Sequence, residues 1–101
     1  MDTISREPTT VGVMLLEEFM KPLNITQAKL GEALNLSRPR IAEILSGKRR
    51  ISIEESVMLA ALFETDPDFW INVQAGHDRW EARQMMATKT DLKPFRALLA
   101  R

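Results

Sequence analysis

Residues 35–50 carry five basic side chains, Arg38, Arg40, Lys48, Arg49 and Arg50, against Glu43 alone, a local net charge of +4. A guanidinium can donate two parallel hydrogen bonds to the O6 and N7 of guanine, and any basic group can neutralise a backbone phosphate. Arg38 and Arg40 fall at the start of a helical pattern, beside Ser37 and Pro39, and are candidates for base edges. Arg40 could instead reach a phosphate. Glu43 could accept from cytosine N4 or pair with Arg40 one turn away. Pro39 offers only apolar contact, for example to a thymine methyl. Lys48, Arg49 and Arg50 follow the same helix and suit phosphates. Thr26 and Gln27 open the preceding helix, where side chains and free amides together can hold a phosphate. The bland alternative for Lys48, Arg49 and Arg50 is a plain solvated charge.

Helices must position these groups, and the hydrophobic spacing is helical nearly throughout. A first helix is expected after Thr10, with Val11, Met14, Leu15 and Phe19 inward, and with Pro22 ending it. Thr26 caps a second helix that buries Leu30 and Leu34 and ends at Asn35. Ser37 caps a third, with Pro39 in its first turn, an apolar stripe of Ile41, Ile44 and Leu45, and Gly47 as its stop. Ser52 and Glu55 form a capping box for a fourth, carried on by Val57, Leu59, Ala60 and Phe63. Asp66 and Pro67 open a fifth, with Phe69, Trp70, Val73 and Trp80, running to about Met86. The second and third helices form a helix-turn-helix candidate. Gly31 stands where they cross, and Asn35 where the sharp turn needs positive φ.

The chain is 101 residues long, enough for one core, and reads as a flexible arm over 1–9, a helical domain over 10–87 and a tail over 88–101. Pro94 followed by Phe95, Leu98 and Leu99 makes that tail a short helix or an extended arm. These three, with Trp80, are more apolar surface than a five-helix core needs and are candidates for a dimer or partner contact. Phe69 and Trp70 are expected in the core.

Fourteen basic and fourteen acidic residues cancel over the whole chain, so only the local field favours nucleic acid. Without cysteine, no disulfide or cysteine site is possible. No apolar run is long enough for a membrane span, and the first residues lack the order of a secretory signal, so a cytoplasmic protein with no membrane contact is expected. An enzyme is not expected. The single histidine, His77, adjoins Asp78 on a helix, where the two side chains point about 100° apart. No metal or cofactor is expected.

The stretch LEEFMKPLNITQAKLGEALNLSRPRIAEILSGKRRIS, Leu16 to Ser52, resembles the Xre-type, lambda-repressor-like helix-turn-helix family. TDPDFWINVQ, Thr65 to Gln74, is similar within it to the HigA-type, VapI-like antitoxins. The family often has His-Pro-Gly-Glu before the first helix and Tyr-Asp after the glutamine, where this chain has Thr10-Val11-Gly12-Val13 and His77-Asp78. The resemblance implies an all-α, five-helix domain with a short C-terminal tail. It implies a homodimer that binds a palindromic double-stranded operator and represses its own operon, with half-sites about 34 Å apart. It also implies neutralisation of a RelE/HigB-like ribonuclease toxin. Two other readings share the residues: a stand-alone Xre-type regulator without a toxin, and a protein-binding module that has lost DNA contact. The basic cluster argues against the last.

Overall fold

In the computed structural model, residues 6–88 and 91–100 are described. Most of the arm expected over 1–9, and positions 89, 90 and 101 of the tail, lie outside them. The helices are punctuated in a regular way. Thr10, Thr26, Ser37 and Ser52 each cap one, the hydroxyl oxygen accepting from the backbone N–H of Val13, Lys29, Arg40 and Glu55 respectively, at 3.0–3.2 Å. The same four helices end on residues of positive φ: Asn24 (56°), Asn35 (54°), Gly47 (77°) and Glu64 (57°). Asn35 and Gly47 were expected there. Asn24 is equally natural, whereas Glu64 takes this conformation without the short polar side chain that lets asparagine tolerate it.

Helix α1 covers 11–23, the helix-turn-helix pair is α2 (Gln27–Leu34) and α3 (Arg38–Ser46), and α4 (Ile53–Phe63) and α5 (Pro67–Thr88) complete the domain. The tail adds α6 (Phe95–Leu99), so the described residues form six helices and no strand, where five helices were expected. Pro94 stands immediately before α6 in extended conformation, with no side-chain cap.

Pro22 does not end α1. The helix widens to π geometry over Leu15–Met20, where the N–H of Lys21 donates to Leu16 O, and returns to α geometry over Lys21–Leu23. A bond register of five residues shifts the carbonyls that the proline ring would otherwise strike. The chain turns only at Asn24.

Trp70 is the centre of the core, with no exposed surface. Its indole N–H donates to Thr65 Oγ1 at 2.8 Å, so the polar edge is satisfied. Phe19, Phe63 and Phe69 surround it with ring centroids 5.1, 6.3 and 5.0 Å away. Leu15, Leu30, Ile41 and Leu59 are buried beside it. Met20 and Ile51 join them although the sequence pattern omits them, and Val57, expected inside, is 50% exposed.

Two glycines let helices approach. A Cβ on Gly31 would lie 3.0 Å from Leu36 O, as the small residue between α2 and α3 suggests. A Cβ on Gly12 would lie 2.3 Å from Leu45 O and 2.5 Å from Ile44 O, so the start of α1 rests on the backbone of the last turn of α3. No helix among the described residues is long and apolar enough to cross a membrane.

Candidate nucleic-acid interface

The cap at Ser37 fixes the direction in which α3 leaves the turn, and Ser37, Arg38 and Pro39 are exposed at its tip. Arg38 and Gln27 line one shallow hollow between α2 and α3, together with Gly31 and Asn35. Lys48, Arg49 and Arg50 line a second, open hollow with Arg40 and Glu43. Each hollow holds groups that suit phosphates beside one carboxylate, Glu32 in the first and Glu43 in the second. Thr26 Oγ1 accepts from the N–H of Lys29, which leaves its own hydroxyl hydrogen available for an acceptor outside.

Arg40 does not project outward. Its Nε donates to Glu55 Oε2 at 2.9 Å, and its Nη2 donates to Glu55 Oε1 at 2.5 Å and to Arg50 O at 2.8 Å. These two side chains are only 22% and 11% exposed. The hydrogen bond from Arg40 holds the Glu55 carboxyl below the usual carboxylate range, against the opposing effect of burial. The same bond raises Arg40 above its ordinary value. Glu43 lies between two guanidinium groups, 3.6 Å from Arg40 and 3.1 Å from Arg49. Arg50 pairs with Asp78 of α5.

The loop from α3 to α4 has unusual support. Arg50 O accepts from Arg40, and Ile51 N–H donates to Gln74 Oε1 at 2.8 Å. Gln74 Nε2 donates back to Ile51 O at 3.0 Å, and Ser52 N–H donates to Glu55 Oε1 at 2.8 Å. Side chains of α3, α4 and α5 therefore satisfy four successive backbone groups of an extended strap. Sequence reasoning found Glu55 as a cap but missed its ion pair, and it missed Gln74, Asp78 and Gly12 as supports. The glutamine lay inside the stretch Thr65 to Gln74, which was the available signal.

His77 joins two carboxylates, with Nε2 2.8 Å from Glu7 Oε2 and Nδ1 3.1 Å from Glu81 Oε1. The bond to Glu7, then that to Glu81, raises its pKa against partial burial. Trp80 is partly buried, its ring 5.5 Å from His77. Phe95, Leu98 and Leu99 are 76%, 51% and 73% exposed on α6.

A short helix capped by Ser37, crossing its predecessor at Gly31 and bearing an exposed arginine at its tip, is the arrangement of a helix-turn-helix domain. The helix-turn-helix family pattern matches residues 16–70, and the chain belongs to that family, in its Xre-type branch. It is 36% identical over 92 residues to the uncharacterised HTH-type transcriptional regulator YbaQ of Escherichia coli K12, covering 91% of this chain and 81% of that one. It is 34% identical over 83 residues to antitoxin HigA-1 of Vibrio cholerae, covering 82% of this chain and 78% of the relative. Among solved structures, the Pseudomonas aeruginosa antitoxin HigA with the higBA promoter superposes with a TM-score of 0.76 at 28% identity, over 86% of this chain and 97% of that one.

Proposed function

We propose that this chain is a dimeric operator-binding repressor and the antitoxin of a toxin–antitoxin pair, neutralising a RelE/HigB-like ribonuclease. The observation that carries the DNA half is the exposed tip of α3, with Gln27 and Arg38 in one adjoining hollow and Lys48, Arg49 and Arg50 in another. The V. cholerae and P. aeruginosa antitoxins support the other half. In this reading Ser37, Arg38 and Pro39 meet base edges. Thr26, Gln27, Lys48, Arg49 and Arg50 meet phosphates. Arg40 and Glu43, first considered for bases, hold the strap and Arg49. Trp80, Phe95, Leu98 and Leu99 contribute to the contact with a second copy or with the toxin.

Two substitutions separate the roles. Arg38→Ala is expected to cost about 1–3 kcal/mol on the cognate operator and to relax base preference. Arg49→Ala is expected to weaken binding to all sequences alike and to lower the salt slope by about one unit. Quantitative binding to operator and random duplexes at several salt concentrations checks both. Equal losses on both duplexes for both variants would refute this division.

Co-expression with the product of the neighbouring gene tests the antitoxin role, with a growth assay and co-purification as readouts. A stable complex that relieves growth arrest is expected. The similarity to YbaQ, itself described only as a transcriptional regulator, favours a second reading, a regulator with no toxin. An inert neighbour that forms no complex would select it.

A further inference from the structure

We infer that Gln74 is a positioning residue for DNA binding: from α5 it holds the Arg50–Ser52 strap in register with α3, so that Arg49 and Arg50 meet phosphates while the tip of α3 meets bases. This rests on the DNA-binding reading above. An extended segment ordinarily satisfies its backbone in a sheet, and an unpaired buried amide or carbonyl is costly. Here Gln74 supplies both the acceptor and the donor that a neighbouring strand would offer to Ile51, at 2.8 and 3.0 Å. Ile51 is 5% exposed, so water is a poor substitute. Arg40 fixes the preceding carbonyl from α3 and Glu55 fixes the following amide from α4. Of these three supports, Gln74 alone comes from α5. One turn further along α5, Asp78 holds the side chain of Arg50. The position of the strap therefore depends on α5 as well as on α3 and α4.

Gln74→Leu removes both hydrogen bonds, and Gln74→Glu keeps an acceptor for Ile51 N–H while placing a carboxylate against Ile51 O. Binding is measured to a generic duplex of about three helical turns, since phosphate contacts do not depend on sequence. Amide hydrogen exchange of the strap is followed in the free proteins. The expected result for Gln74→Leu is faster exchange at Ile51 and a salt slope smaller by about one to two units, as loss of one or two phosphate contacts requires. Gln74→Glu is expected to be intermediate in exchange. Adding Arg49→Ala to Gln74→Leu is expected to cost less than it does in the wild type.

A loss of stability alone would lower the active fraction and leave the slope of the folded protein unchanged. An unchanged slope in folded Gln74→Leu, or in Gln74→Glu should the leucine variant not fold, overturns the inference and leaves the DNA-binding reading intact. Wild-type protein that shows no salt-dependent binding to the duplex overturns the reading, and the inference with it.

Discussion

Gly12→Val is expected to remove a large share of the stability of the folded domain. The added Cβ would fall 2.3 and 2.5 Å from the carbonyl oxygens of Leu45 and Ile44, closer than nonbonded atoms approach. Both obstacles are backbone, so no side chain can turn aside. Relief requires α1 to move off α3, which draws Val11 and Leu15 out of the core. Overpacking costs about 1–3 kcal/mol and occasionally more, and the branched side chain places this case at or above the upper end. Against a total of roughly 5–15 kcal/mol, that is a large share. The contrasting site is Gly76, where a Cβ meets nothing within 4 Å. Gly76→Ala is expected to stabilise by about 0.5–1 kcal/mol, because alanine loses less backbone freedom in a helix. Urea unfolding measures both through the midpoint at constant slope. A Gly12→Val midpoint equal to that of the wild type would contradict the close approach of α1 to α3.

Glu55→Ala is expected to cost about 3–4 kcal/mol at neutral pH, the lower part of the range for breaking a buried ion pair, since Arg40 keeps some contact with water. The variant leaves the Arg40 guanidinium with Arg50 O and the more distant Glu43, and it leaves Ser52 N–H without its acceptor. The pH dependence has a definite sign. Glu55 titrates lower in the folded protein than in an ordinary chain. Unfolding in the acid range therefore takes up a proton, and stability falls with falling pH. The contribution is fully present above the ordinary glutamate pKa of about 4.3 and is lost as pH falls from there through the lower folded value. The gap between wild type and Glu55→Ala should consequently be wide near neutrality and narrow in acid. Unfolding curves at the two conditions check this, and an equal gap at both would exclude the ion pair as its source.

What the sequence made legible is what depends on near neighbours. Hydroxyl caps satisfy amides three residues away, Asn35 and Gly47 take their conformation from one turn, and Trp70 lies on a stripe of helical period. The supports of the interface are of another kind. Arg40 and Glu55 are 15 residues apart, Ile51 and Gln74 are 23 apart, and Arg50 and Asp78 are 28 apart. Their meeting depends on how α3, α4 and α5 pack, which no local period encodes. Arg40 was therefore read from its place near the helix tip, although the packing turns it inward. Pro22 misled for the opposite reason. The local rule was sound for an α-helix, and the π turn escaped it. Val57 follows the period of α4, but the stripe is wider than the surface available to cover it.

The pairings of Arg49 with Glu43 and of Arg50 with Asp78 bear on how such a surface would exchange ions with a duplex. DNA carries a condensed atmosphere of small cations that a basic protein displaces. This chain carries the reverse: carboxylates tethered beside its own cations, at fixed and high local concentration. Under the proposed reading, each phosphate contact by these arginines is a swap of one anion for another, with the displaced carboxylate left facing the polyanion. Such a swap weakens attachment to the operator and to arbitrary sequence by a similar factor, so discrimination rests with the tip of α3 and its bases. A neutral protein of this kind would leave the wrong sites quickly, because the anions it keeps hold its sequence-independent attachment low.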